Sequence, residues 1–216
     1  MWNTVLYRAH GRRMTGVQGI DVSNNNGTLD WTPWRDQISF AMMKASEGVG
    51  FIDSQFGRNW NQAWRISGGK MVRVAYHFGH PGQDPVHQAD ILTTQARKHG
   101  LKPGDHYALD LEVTDGQSPD HVAAWAQKFA HRINHVNPGH RCLIYTYPAF
   151  AEAGNCAGLE PWFLWIANYG VAAPAVPAPW HEWKFWQYQG TGIDRDMWNG
   201  TEQELLDFMR MPAWRR

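Results

Sequence analysis

The sequence predicts an α/β protein whose mainly parallel sheet closes, or nearly closes, into a barrel with some of its helices missing. Three observations carry this. Apolar runs rich in β-branched and aromatic residues recur at 17–22, 39–45, 71–78, 107–113, 142–147, 162–168 and 183–188, each of strand length. Helix-period patterns fill several of the intervals, the alternation that builds parallel sheets. Several runs are apolar on both faces, which suits a barrel wrapped by helices better than an open sheet. At 216 residues the chain suits one domain and is short for a full set of strand–helix units.

Taken in order, residues 1–16 carry Arg8, Arg12 and Arg13 but no apolar stretch of leader length. They are expected to form an extension of unknown role and not a secretory leader. The first run, VQGIDV, ends on Asp21 and passes into Ser23, Asn24, Asn25 and Asn26, a turn-forming string. Residues 54–66 set Phe56, Trp60 and Trp64 on one helical stripe, and Gly68–Gly69 stops it. A second helix is expected over 86–99, ended by Gly100. The clearest spans 119–136: Ser118 caps it, Pro119 opens it, and Val122, Trp125, Phe129, Ile133 and Val136 share a stripe. The segment from Pro161 to Trp180 is charge-free and long enough to span a bilayer. Pro174, Pro177 and Pro179 rule that out, leaving a strand and a Pro/Ala loop. Thr201 with Glu204 forms a capping box for a last helix to about Met209. The expected division is a barrel over 17–210 and a tail over 211–216.

Composition narrows the function. Lys plus Arg and Asp plus Glu balance at 20 each, so neither a nucleic-acid partner nor stable membrane insertion is expected. Thirteen tryptophans offer flat apolar faces with one N–H donor, suited to a core or to sugar rings. The late cluster of Trp162, Trp165, Trp180, Trp183, Trp186 and Trp198 is dense enough to suggest both uses. Two cysteines, Cys142 and Cys156, are too few for a disulfide scaffold. Cys142 reads as a buried thiol, and a bridge between the two stays open.

In barrels of this kind chemistry gathers at the carboxyl ends of the strands. There the sequence sets Asp21, Tyr76, His77, Asp110, Glu112, Asn168, Tyr169, Gln187 and Tyr188. Asp110 and Glu112 are the sharpest signal. Side chains repeat every two residues along a strand, so both carboxylates share a face while Leu111 takes the other. With apolar flanks the pair is poorly solvated, and one member should hold its proton near neutral pH, as a general acid must. Asp21, and Asp194 with Asp196, each fit a local turn equally well. Four acids at one barrel mouth would make a site. His131 and His135 lie four apart on a helix, away from its apolar stripe, and read as surface residues. No phosphate loop, serine elbow or Cys–His pair occurs, and no cofactor or metal is expected.

The segments GIDVSNNNGTLDW (19–31), FAMMKASEG (40–48), VAYHF (74–78), YALDLEV (107–113), IYTYPAF (144–150), LWIANYG (164–170) and WQYQGTGIDRD (186–196) resemble, in order, those of the glycoside hydrolase family 25 lysozymes. The resemblance implies a flattened β/α barrel of TIM-barrel type with an acidic groove. It also implies cleavage of the β-1,4 bond between N-acetylmuramic acid and N-acetylglucosamine in peptidoglycan. The family's acids fall on Asp110, Glu112, Asp21 and Asp194, and that of its KA(S/T)EG segment on Glu47. Where the family often has Asn, this chain has Asp196.

Within that chemistry Glu112 takes the acid/base role. Asp110 lies too close to it to act as an inverting base, so Asp110 is assigned to orienting the substrate's own acetamide, with retention of configuration. Asp21 and Asp194 would hold sugar hydroxyls, and Tyr76, Tyr169, Trp186 and Tyr188 would supply stacking surface. The expected setting is a phage endolysin made in the host cytoplasm and reaching the wall through a holin or on lysis, with a bacterial autolysin as the alternative. Two rivals remain: a metal-dependent phosphodiesterase or deacetylase with Asp21, Asp110, Glu112 and His77 as ligands, and a sugar-binding barrel without turnover.

Overall fold

The computed structural model describes residues 16–210, together with two short strands ahead of them, β1 (Tyr7–Ala9) and β2 (Arg12–Met14), which pair with each other. The expected N-terminal extension and C-terminal tail otherwise lie outside the described residues. Eight strands close the barrel: β3 (Val17–Val22), β4 (Phe40–Glu47), β6 (Val72–Phe78), β7 (His106–Asp110), β8 (Cys142–Thr146), β9 (Phe163–Ala167), β10 (Phe185–Gln189) and β11 (Asp194–Trp198). Pairing of β3 with β4 completes the ring, and β5 (Phe51–Ile52) adds a short hairpin to β4.

Seven of these strands follow the apolar runs. The eighth, β11, follows no apolar run, and in sequence its acids fit a local turn equally well. Its Asp194, Asp196 and Trp198 alternate with Arg195 and Met197, so its inward row is two-thirds acidic and carries no apolar signature. Only a few residues separate β10 from β11, too few for a crossover, so β11 runs antiparallel to both its neighbours.

Period-two alternation sorts the barrel into two apolar layers. Inward-facing Phe40, Met42, Val74, Ala108, Leu143, Trp165 and Phe185 fill it. Outward-facing Ile20, Ala41, Met43, Ala75, Leu109, Ile144, Leu164 and Ile166 pack against helices α1 (Phe56–Ile66), α2 (Pro85–Lys98) and α3 (Pro119–Val136). Ser118 caps α3 as expected, accepting from His121 N at 3.4 Å, and Asp84, which the sequence reading did not single out, caps α2 by accepting from His87 N at 2.6 Å.

Helices are missing early, between β3 and β4, where two single turns (Asn24–Asn26 and Thr32–Trp34) make the connection, and again late in the chain. A single turn, α4 (Pro148–Phe150), and a wide turn over Ala151–Asn155 join β8 to β9, and the proline-rich loop joins β9 to β10. Helix α5 (Glu202–Arg210) then covers the amino end of the barrel, where Leu205 is buried and the Phe208 ring lies 4.9 Å from Trp198 and 4.6 Å from Phe163. With that end plugged, the carboxyl ends of the parallel strands form the open face.

Cys142 and Cys156 are both free and buried. His131 and His135 are exposed on α3. Among the described residues no helix is long and apolar enough to cross a membrane.

Candidate active site

The open end of the barrel holds a polar groove of about 490 Å³, lined by acids, tyrosines and one lysine. A larger cavity of about 880 Å³ lies beneath the barrel among the amino ends of β4 and β6, Trp64 and Glu202, far from the strand ends that carry the acids. We place the chemistry in the smaller groove, because the buried titratable groups converge there.

Its floor follows from strand parity. Met42 and Lys44 on β4, Val74 and Tyr76 on β6, Ala108 and Asp110 on β7, Leu143 and Tyr145 on β8, Phe185 and Gln187 on β10 all face inward. Each strand thus changes from apolar to polar as it reaches the open end. Asp21 and Asp194 are directly paired in the β3–β11 register, and both line the groove. Beyond Asp21, Ser23 and Asn26 form a capping box, and the buried Asp53 carboxylate accepts from Asn24 N at 2.7 Å. That fixes the Ser23–Asn26 turn as part of the wall.

Gln187 ties the floor together. Its amide donates to Asp21 at 2.6 Å and lies 3.4 Å from Asp194, while its carbonyl oxygen accepts from the Tyr145 hydroxyl at 2.9 Å and from the Tyr169 hydroxyl. Burial, with Asp194 adding to it, pushes the Asp21 carboxyl up to about 7 against the hydrogen bonds from Gln187 and Asp196.

Asp110 and Glu112 share a hydrogen bond. Burial, then the charge of Glu112, holds Asp110 well above the usual carboxylate range, with Lys44 opposing. Burial also raises Glu112, but its bond to Asp110 and the charge of Lys44 pull it back. Burial therefore favours the neutral form more strongly at Asp110 than at Glu112. Asp110 is the more deeply buried of the two, and burial favours the neutral form.

Of the residues expected at the site, the groove collects Asp21, Tyr76, Asp110, Glu112, Tyr169, Gln187 and Asp194. Five others lie elsewhere. His77 follows inward-facing Tyr76 and so points outward, where it bonds Ser46 Oγ at 2.8 Å and Gln88 Oε1 at 2.9 Å beneath the Phe129 ring. Burial pushes it down to about 4, so it stays neutral. Trp186 and Tyr188 flank inward-facing Gln187 and belong to the outer layer. Trp186 donates to Asn168 O at 2.8 Å, and the Tyr188 hydroxyl donates to Gln18 at 2.7 Å. The Asn168 side chain accepts from Ala175 N at 2.9 Å and holds the loop after β9. Glu47 sits at the rim, where Lys44 donates to it at 2.6 Å and His80 lies 3.4 Å away, itself 3.0 Å from Asp115. Of the six late tryptophans, Trp165 lines the groove, and the others serve the packing.

Sequence reasoning missed Lys44, Tyr145 and Trp165. The signal existed: counting in twos along FAMMKASE, CLIYT and FLWIA puts all three on the inward face. Each was hidden within an apolar run.

The comparisons bear on this geometry. The model of the glycosyl hydrolases family 25 matches residues 20–197. The chain belongs to glycosyl hydrolase family 25. It is similar to lysozyme M1 of Streptomyces globisporus, with 31% identity over 89% of this chain and 71% of that one. It is also similar to an N,O-diacetylmuramidase of Arthroderma benhamiae, with 29% identity over 92% and 88%. The crystal structure of a bacterial lysozyme from Streptomyces coelicolor superposes with a TM-score of 0.78 at 28% identity, covering 91% of this chain and 98% of that one. This family 25 member is therefore a glycoside hydrolase of the lysozyme type, and its groove is the place to seek the reacting groups.

One pH effect follows for this family 25 hydrolase. Asp21 has a folded pKa of about 7 against an ordinary 3.8, so the native state binds the proton more tightly. Its contribution to stability is present below about pH 4 and is lost as pH rises to about 7. Asp21→Asn removes that loss. Its melting temperature should therefore gain on the wild type across this window and hold the gain above it. Melting curves from pH 4 to 8 test this, and a gain that shrinks with rising pH would contradict it.

Proposed function

We propose that the chain is an N-acetylmuramidase. It cleaves the β-1,4 bond between N-acetylmuramic acid and N-acetylglucosamine in bacterial peptidoglycan, and it retains anomeric configuration. The observation that carries this is the Asp110–Glu112 pair: two neighbouring carboxyls, the first of them buried, at the floor of an acidic groove open enough for a glycan strand.

The steps use groups that line the groove. An arriving acetamide N–H donates to Asp110, which gives up the shared proton to Glu112. Glu112 passes that proton to the glycosidic oxygen as the acetamide oxygen attacks the anomeric carbon and the bond to the leaving sugar breaks. Glu112, now charged, takes a proton from water as that water opens the cyclic intermediate from the face the leaving group vacated. Two displacements at one carbon restore the original configuration. Lys44, Asp21 and Asp194 set the field, and Tyr76, Tyr145 and Trp165 line the floor.

Geometry disfavours the metal-dependent rival. His77, one of its four ligands, points out of the barrel into an apolar layer. Among the described residues no group of three or more His, Cys, Asp or Glu is arranged to hold a metal ion. The endolysin setting, with holin-dependent release, is proposed alongside and rests on the kinship with lysozymes alone. Co-expression with and without a holin, followed by timed lysis, tests it.

The deciding experiment is mass spectrometry of digested, reduced peptidoglycan. Muramic acid at the new reducing ends is expected, with the β anomer formed first and no loss of rate on adding a chelator. Glucosamine reducing ends, binding without cleavage, or loss of activity with chelator would each overturn the reading.

A further inference from the structure

Beneath the groove lies a carboxyl group that the mechanism does not use. Asp196 on β11 is wholly buried inside the barrel and pairs in register with Gln187 on one side and Gly19 on the other. Gly19 leaves no room of its own, since a Cβ there would sit 2.2 Å from the Phe40 ring. Trp165 donates to Asp196 Oδ1 at 2.8 Å. Oδ2 has no donor, and its hydrogen-bonding neighbour is another carboxyl, that of Asp21.

Two readings of this arrangement compete. A charged Asp196 would be a buried anion with one hydrogen bond, pressed against Asp21 with Asp194 nearby, and nothing would neutralise it. A neutral Asp196 leaves no polar atom unmet: Oδ1 accepts from Trp165, and the O–H on Oδ2 donates to Asp21. The second reading also completes Asp21, which then receives one donor from Gln187 and another from Asp196.

We propose that Asp196 is a protonated carboxylic acid that acts as a positioning residue, donating a hydrogen bond that favours the charged form of Asp21 and fixes it in the groove. In this role the acid does what an amide would do, which accounts for an Asp where the family often has Asn. The inference deepens the hydrolase reading and rests on it only for the function of Asp21. The other titratable groups facing the pair are Asp194, Asp110, Glu112, Tyr76, Tyr145 and Tyr169. None of them is positioned to donate to Asp196 Oδ2.

The test has two arms. The first needs no substrate. The infrared spectrum of wild type minus that of Asp196→Asn, at pH 7, should contain the carbonyl band of a protonated carboxylic acid. Its absence, or an added carboxylate band in its place, would overturn the proposal whether or not the protein cleaves glycan. The second arm reads the acid limb of kcat/KM on peptidoglycan fragments. Asp196→Ala removes a donor that favours charged Asp21, so the limb should move to higher pH with at least a tenfold loss at pH 6. Asp196→Asn restores the donor and should rescue the rate to within about threefold, with the limb back in place. If Asn fails to rescue while circular dichroism and melting match the wild type, Asp196 does not position Asp21. If Ala folds and leaves the limb unmoved, the same conclusion follows.

Discussion

Glu112→Gln is expected to lower wall-lysis activity by at least a hundredfold while leaving the fold intact. The magnitude is that of a lost general acid, about 10²–10⁴ in rate. The amide keeps the shape of the side chain and can still bond to Asp110, but it has no proton to give to the glycosidic oxygen. The fold should not suffer, because Glu112 lies past the end of β7 at the groove and contributes nothing to either apolar layer. A synthetic substrate with an aryl leaving group needs little protonation, so it should recover much of the lost rate. Asp110→Asn on the same substrate should not recover, since it fails in the other half of the reaction, where the acetamide must be held. Turbidity clearing and aryl-glycoside kinetics on the two variants check this. Clearing by the Gln variant at nearly the wild-type rate would remove Glu112 from the acid role.

The second large effect concerns stability. Asp105→Ala should destabilise the protein by about 3–5 kcal/mol, the cost of stranding a buried charge, and lower its melting temperature by about 10 °C. Arg73 is 1% exposed on β6. It donates to Asp105 at 2.9 and 2.6 Å and to Trp60 O at 3.0 Å, and its guanidinium lies 4.2 Å from the Trp60 ring centre and 4.8 Å from that of Trp64. Removing the Asp105 carboxylate leaves the buried guanidinium without a counter-charge. Burial raises the Asp105 pKa despite the guanidinium beside it, a sign that desolvation offsets most of the attraction. The pair is therefore costly to break and weak as a net stabiliser. The double variant Arg73→Met with Asp105→Leu should regain most of the loss. Urea unfolding of the single and double variants distinguishes this from a simple packing defect, in which the double variant would be the worse of the two.

Much of the fold was legible in the amino-acid order. Apolar runs of strand length marked seven barrel strands, because a strand buried on both faces is apolar throughout, and Ser118, Pro119 and the Val122–Ile133 stripe marked α3, because burial on one face repeats at the period of the backbone. The pairing of Asp110 with Glu112 was legible for the same reason: two residues apart on a strand means one side. Strand β11 was not, since its inward row is acidic, and an acid buried by distant partners looks in sequence like an acid in a turn.

The sequence by itself thus determined the family, the barrel and the carboxyl pair, all of which rest on local spacing or ordered motifs. Tertiary structure alone decided which neighbour of each strand end faces the groove: Tyr76 and not His77, Gln187 and not Trp186 or Tyr188. It also decided which carboxyl of the pair is the more deeply buried, and that Asp196 lies against Asp21 across nearly the whole length of the chain. Those outcomes depend on the closure of β11 onto β3 and on how deeply each group is removed from water. Both are set by long-range pairing, which no stretch of residues read alone records.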